Sequence, residues 1–119
     1  MIVKNYQQVN EEKVEMKGGS GATVRWLIDD KVGLNFAMRR YELKGSIPLH
    51  RHAYEHEVYF LKGQGEIIDA DGNIRSIAQG DFAYIPPNEA HGFRNSGKRE
   101  SLVFLCLVPK QRGAIEFLE

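Results

Sequence analysis

All histidines of this chain lie in two short segments, and they carry its clearest capacity for chemistry. The 119 residues contain only four histidines. Three fall within positions 50–56 and one follows a Pro-Pro turn: His50, His52, His56 and His91. Imidazole is the commonest protein ligand for transition metals, and three or four convergent rings hold an ion without any cysteine. The clustering predicts a metal site, the alternative being four unrelated histidines.

Strand geometry can bring these four side chains together. Residues two apart on a strand point to the same face, so His50 and His52 would share a face. His56 follows after enough residues for the chain to turn onto the next strand and point back, whereas His91 arrives from a distant hairpin. We therefore expect one histidine cluster built from separate strands.

The elements that must position these residues are short β-strands. Apolar runs are separated by Gly, Pro, Asn and Asp roughly every 8–12 residues, which predicts an all-β sandwich or barrel. The predicted strands cover positions 22–28, 34–43, 57–61, 66–69, 74–77, 82–85, 91–94 and 102–108. Lys44-Gly45 is expected to end the second strand, and Asp71-Gly72 predicts a type I′ hairpin because both central residues need positive φ.

Length and charge argue against several classes of function. A chain of this length forms one domain. Its 16 basic and 16 acidic residues give zero formal net charge, which argues against a nucleic-acid partner or a basic membrane-surface module. No apolar run approaches ~20 residues and the N-terminus has no signal-peptide core, so we expect no membrane contact. Cys106, the single cysteine, cannot form an internal disulfide and favours a cytoplasmic location.

The chain reads as a single domain over residues 1–119, with an N-terminal arm or first strand at 1–21, a barrel at 22–108 and a C-terminal tail at 109–119. The strand at 102–108 is apolar at every position, which predicts burial on both faces. A small barrel covers only one face of such a strand, so we expect a homodimer in which a second copy covers the other.

Two separated motifs resemble those of the cupin superfamily, whose fold is a jelly-roll (double-stranded β-helix) barrel. The segment Gly45–Gly63 resembles the first cupin motif, with a glycine, HxH, a further ligand and a closing glycine. The segment Gly80–Asn95 resembles the second, with matching positions for glycine, proline, histidine and asparagine. Asn88 stands where the family has a second glycine, and asparagine tolerates the left-handed conformation of such a turn. The resemblance implies a cupin barrel.

The first motif departs from the usual ligand set of three histidines and a glutamate. In the motif six residues separate the usual glutamate from the closing glycine, and the residue separated from Gly63 by six others is His56. Glu57 fits only a longer spacer, and neighbours on a strand point to opposite faces. We therefore expect four histidine ligands, which resembles the small single-domain tetra-histidine manganese cupins. The resemblance implies Mn first and Fe second, with Ni, Cu or Zn as further alternatives.

Strand parity and the resemblance also predict the lining of a substrate pocket. The expected lining residues are Arg39, Ile47, Tyr54, Phe93, Phe104, Cys106 and Val108. For Cys106, simple core packing is an equal alternative. Arg39 and Arg40 are neighbours, so one faces inward, and the resemblance favours Arg39. An inward arginine would anchor a carboxylate substrate or pair with a protein carboxylate. Glu55 and Glu57 are candidate acceptors for histidine N–H groups, with simple exposed carboxylates as an equal alternative.

A dioxygenase-like oxidoreductase acting on a small organic substrate at the metal is the leading expectation for function. A non-catalytic module that binds metal or a small ligand is one alternative, and a cupin lyase or isomerase is another. If all four histidines bind metal, none is left over as a general base.

Overall fold

The chain folds as an antiparallel β-structure in a computed structural model that describes residues 1–97, 99–110, 112 and 115–118. The described residues form a short 3₁₀ turn, Tyr6–Gln8, and ten strands. The strands are β1 (Glu12–Val14), β2 (Ser20–Ile28), β3 (Phe36–His52), β4 (His56–Lys62), β5 (Gln64–Asp69), β6 (Ile74–Ala78), β7 (Phe82–Ile85), β8 (His91–Asn95), β9 (Leu102–Pro109) and β10 (Ile115–Phe117). The predicted all-β jelly-roll class is confirmed.

The long strand β3 organises the sheet. Its first half pairs with β2 and β9, and its second half pairs with β8 and β10. The main sheet runs in the order β6-β5-β8-β3-β9-β4-β7, with β1 beside β2. The sheet curls so that the inward side chains of β3, β4, β8 and β9 enclose one core, which includes Leu43, Phe60, Leu102 and Phe104.

Strand β3 does not end at Lys44-Gly45, so that prediction was wrong. The strand continues to His52. A Cβ atom on Gly45 would lie 2.3 Å from Ser20 Oγ and 2.5 Å from the Ser20 carbonyl oxygen. Gly45 therefore permits the close approach of β2 rather than stopping β3, which is a second common use of glycine in strands.

The hairpin at Asp71-Gly72 forms as predicted between β5 and β6, but the turn type differs. Only Gly72 of the two residues has a positive φ, at 81°. The Asp69 carboxylate accepts hydrogen bonds from the backbone N–H groups of Asp71 and Asn73, at 3.0 and 2.9 Å. The carboxylate holds Asp71 in an ordinary conformation, so type I′ geometry is not required.

Strand β9 buries one face fully and the other partly. Phe104, Cys106 and Val108 are each 1% exposed. On the opposite face Leu105 and Leu107 are only half-buried in the single chain. The alternation agrees with the predicted parity, and the outward leucines remain partly open to solvent.

The two termini lie against the barrel. Strand β1 pairs with β2, and Val14 and Met16 pack on the core. In the predicted tail 109–119, residues 111, 113, 114 and 119 lie outside the described residues, whereas β10 pairs with the end of β3. Within the described part of the chain, no helical segment has the length and apolarity to cross a bilayer.

Candidate metal centre

Three strands bring the four histidines to one end of the barrel. His50 and His52 lie at the end of β3, His56 opens β4 and His91 opens β8. His50 and His91 are directly paired across β3 and β8. All four are buried, with 7, 4, 4 and 2% exposure in chain order.

The four imidazole rings form a compact cluster. The His91 ring centroid lies 4.2 Å from that of His50, 5.1 Å from that of His52 and 5.8 Å from that of His56. The His56 ring is also 5.6 Å from the His52 ring. Nitrogen atoms of His50, His52 and His91 lie within 4.8 Å of one another, close enough to hold one ion. His56 borders this three-histidine group without belonging to it.

Backbone carbonyls orient three of the rings. Each Nδ1 lies 2.8–2.9 Å from a carbonyl oxygen two residues away: Pro48 for His50, Tyr54 for His52 and Glu89 for His91. A carbonyl only accepts, so each Nδ1–H donates and each Nε2 keeps its lone pair. This is the tautomer in which Nε2 can bind a metal.

Several imidazole nitrogens lack a partner among the described residues. Both ring nitrogens of His56 and the Nε2 of His91 are buried without a hydrogen bond. An unsatisfied buried polar atom costs on the order of 1–3 kcal/mol, so such atoms cluster where a ligand belongs. A transition-metal ion fits this donor set because it would take up these lone pairs.

Burial keeps the histidines neutral. Desolvation, followed by the positive charge of Arg39, lowers the pKa of His56 to about 2. Desolvation and the neighbouring His50 lower the pKa of His91 to about 3. The neutral imidazole is the form that binds metal, so no proton has to leave these rings at neutral pH.

The turn at Asn88 in the second motif is hydrogen-bonded to the histidine segment of the first motif. Asn88 has φ 67°, which confirms the predicted left-handed residue, and its N–H donates to the His52 carbonyl oxygen at 2.7 Å. Of the two interpretations of Glu55 and Glu57, the structure does not support histidine acceptors. Backbone carbonyls serve three of the rings, and His56 has no acceptor among the described residues. Burial and a hydrogen bond with Glu55 raise the pKa of Glu57. Glu57 pairs with Tyr84 and alternates with the buried His56.

A cavity of about 250 Å³ is lined by three of the four histidines, His50, His52 and His56. Six of the seven expected pocket residues line it: Arg39, Ile47, Tyr54, Phe93, Phe104 and Cys106. Val108 does not. It lies opposite Ala37 on β3 and packs with Ala37 and Tyr54 in a separate cluster beside Trp26. This volume is slightly below the range of about 300–1,000 Å³ that is usual for ligand sites.

Further lining residues were not found from the sequence: Val14, Glu15, Met16, Tyr41, Ile115 and Phe117. Tyr41 lies two residues after Arg39 on β3 and therefore shares its face, so the alternation of side chains along the strand could have predicted it. Phe117 approaches the site through β10, and its ring centroid lies 5.7 Å from that of His50. No local signal in the sequence indicates this docking.

The two neighbouring arginines point to opposite faces of β3. Arg39 is buried and lines the cavity. Its guanidinium lies 5.2 Å from the Trp26 ring centre and 5.3 Å from that of Tyr41. Arg40 instead pairs with Glu42 at 2.8 Å and stacks on Tyr6. The structure therefore resolves which arginine faces inward.

Comparison with known proteins agrees with this architecture. A family model described as a Cupin domain matches residues 37–108. The chain belongs to the cupin family. The matched region of the cupin contains all four histidines and Arg39.

Individual relatives extend over nearly the whole cupin. The oxalate-binding protein of Thermotoga maritima is 28% identical over 114 residues, which cover 91% of this chain and 93% of that protein. The polyketide cyclase RemF from Streptomyces resistomycificus has a TM-score of 0.92 at 30% identity, covering 100% of this chain and 86% of its own. A predicted oxalate decarboxylase from Thermotoga maritima has a TM-score of 0.78 at 26% identity, covering 98% and 100%.

Proposed function

We propose that this cupin is a metal-dependent oxidoreductase of the dioxygenase type, acting on a small organic substrate. The proposed ligands are His50, His52, His56 and His91. The observation that supports this assignment is the set of buried imidazole nitrogens without protein partners, which includes both nitrogens of His56. The proposed ion is manganese, with iron next and nickel, copper or zinc as further alternatives.

The chemistry of the donor set favours catalysis over a closed structural site. An ion held only by neutral imidazoles keeps its full charge and, when bound, supplies Lewis-acid and redox chemistry with open positions. The chain's own residues would then do two things. The backbone carbonyls hold the rings in the metal-binding tautomer, and the apolar wall of Ile47, Phe93 and Phe104 limits water in the cavity.

The second candidate function is a binding module without turnover. It is favoured by the likeness to a protein named for oxalate binding, which extends over almost all of both chains. The likeness to a polyketide cyclase keeps a lyase or isomerase type of reaction as a third candidate. All three would use the same histidines and cavity. They differ in whether oxygen is consumed and in whether a product forms.

We further propose a cytoplasmic homodimer. Exposed Tyr59, Phe82 and Tyr84 adjoin the half-buried Leu105 on the outer face of β4, β7 and β9. The zero formal net charge of the chain removes long-range repulsion between two copies. A second copy packed on this face would complete the burial of β9.

Oxygen uptake separates the candidates. Metal-loaded protein is incubated with small phenols, diketones and alkenes in an oxygen electrode, and the products are identified by mass spectrometry. We expect uptake that depends on metal and substrate and is lost in His56→Ala. The matched control Glu57→Ala should retain uptake. Ligand binding without uptake across the panel would favour the binding module, and product formation without uptake would favour the lyase or isomerase.

A further inference from the structure

We propose that Arg39 is an anion anchor in the cavity and that the ligand of this cupin is a small carboxylic acid bound as its carboxylate. The substrate role of this acid rests on the proposed function. The anchor itself is argued from the burial, the partners and the surroundings of Arg39.

Arg39 is a buried cation without a protein counter-ion among the described residues. It is 7% exposed, and its Nε atom is buried with no hydrogen-bond acceptor. Five of the other seven arginines form ion pairs with residues that the structure describes: Arg25 with Glu11, Arg40 with Glu42, Arg51 with Glu116, Arg94 with Glu66 and Arg112 with Asp30. Burying an uncompensated charge is costly, so Arg39 is the position where an external anion would be stabilised most.

Among the described residues, the groups around Arg39 give it no contacting counter-ion. The negative charge of Asp30 acts on Arg39 from a distance, but this exposed carboxylate is ion-paired with Arg112. Burial raises the pKa values of Tyr41 and Cys106 to about 12, so both are neutral at pH 7. The lining of the cavity includes one carboxylate, Glu15, which is exposed and forms no ion pair with Arg39. An incoming anion therefore meets an unneutralised guanidinium.

Two aromatic rings fix the position of this guanidinium. Its central carbon lies 5.2 Å from the Trp26 ring centre and 5.3 Å from the Tyr41 ring centre, distances typical of cation–π contacts. A planar guanidinium held in this way presents a fork that matches the two oxygens of a carboxylate. The arrangement thus favours a carboxylate over a neutral group of the same shape.

The rest of the cavity limits the body of the acid. Ile47, Phe93, Phe104 and Phe117 give it apolar and aromatic walls, and its volume is about 250 Å³. A compact acid with a single ring fits this description, with its carboxylate toward Arg39 and its body beside the histidines. We take benzoate as the probe and benzamide, its neutral isostere, as the matched control ligand.

The single tryptophan of the chain reports on the anchor because Trp26 contacts Arg39. Fluorescence is titrated with benzoate and with benzamide, on metal-loaded protein and on protein stripped with a chelator. We expect benzoate to give a saturable change and to bind at least about tenfold more tightly than benzamide, as one charge-assisted hydrogen bond would provide. Equal binding of the two compounds would overturn the proposal.

Variants separate the anchor from general effects on folding. Arg39→Gln should weaken benzoate binding by about 10- to 100-fold with little effect on benzamide, and Arg39→Lys should fall between because it keeps the charge without the fork. Arg40→Gln, on the opposite face of β3, should bind like the wild type. If Arg39→Gln does not fold, Arg39→Lys and the two-ligand comparison on the wild type decide.

Measuring the metal content of the same samples distinguishes failure of the Arg39 anchor from failure of the proposed metal-dependent function. Benzoate selectivity in a wild-type protein that takes up no metal when loaded would support the anchor and contradict the proposed function. Metal binding without any preference for the carboxylate would contradict the anchor alone.

Discussion

Control of the histidine tautomer is the main result at the residue scale. Three rings donate Nδ1–H to backbone carbonyls that lie only two residues away in the chain. The acceptor is a backbone carbonyl, which every residue has, so the amino-acid sequence does not reveal which residue provides it. The spacing of the histidines could therefore be read from the motifs, whereas the groups that orient them could not, and the two nearby glutamates were a misleading signal.

The choice between His56 and Glu57 as a ligand is testable by paired substitutions. His56→Ala should lower metal affinity by more than about tenfold, the loss typical of even an outer partner of a metal ligand. Glu57→Ala should bind metal like the wild type because Glu57 alternates with His56 and lies on the other side of β4. Competition with a metallochromic chelator gives the affinities. Loss of metal in Glu57→Ala but not in His56→Ala would show that the ligand set is three histidines and a glutamate.

The thiol of Cys106 should be chemically inert in the folded protein. It is 1% exposed, and burial raises its pKa to about 12. The thiolate needed for alkylation is therefore scarce at neutral pH. We expect iodoacetamide to label Cys106 slowly in native protein and completely in denaturant, as measured by mass spectrometry. Rapid native labelling at one equivalent would contradict the burial of this strand.

At the scale of secondary-structure elements, strands β3 and β10 determine which side chains surround the histidines. The local pattern predicted most strands within a few residues, and Phe82–Ile85 agrees in both bounds. It did not predict the continuation of β3 through Gly45, because a glycine that admits a neighbouring strand resembles a glycine that ends one. It did not predict the pairing of β10 either, since that pairing needs an edge of β3 that is distant in sequence. An exposed ion pair between Arg51 and Glu116 also joins the two strands.

Strand β10 should slow exchange at the cavity, because Phe117 lies beside His50. We expect Phe117→Ala to release bound metal to a chelator several-fold faster than the wild type, as measured by stopped-flow absorbance. Phe36→Ala removes another exposed phenylalanine, one that does not line the cavity, and serves as the control. The same release rate in all three proteins would mean that β10 does not cover the site in solution.

The arrangement of apolar surface is the main question at the scale of the whole molecule. Turn signals along the chain predicted an all-β sandwich or barrel, and the resemblance of the two motifs implied the jelly roll. Strand β9, apolar at every position, did not by itself show which of its faces turns inward. The outer face of the same strand indicated a second copy, and its aromatic neighbours on β4 and β7 are exposed in the single chain.

We expect a dimer by size-exclusion chromatography with light scattering. Tyr59→Glu should shift the protein toward monomer, because it places a charge among apolar side chains of the proposed interface. Ile74→Glu changes an equally exposed residue on β6 and should leave the dimer intact. A wild-type monomer at all concentrations tested would refute the proposed interface.

Metal content of the purified protein tests the central claim most directly. We predict about one transition-metal ion per chain, by plasma mass spectrometry, after loading at neutral pH and removal of free metal. The ion should be manganese when manganese is supplied, and its content should fall sharply in His56→Ala. A correctly folded wild-type protein that retains no stoichiometric metal would contradict the four-histidine centre and the function proposed from it.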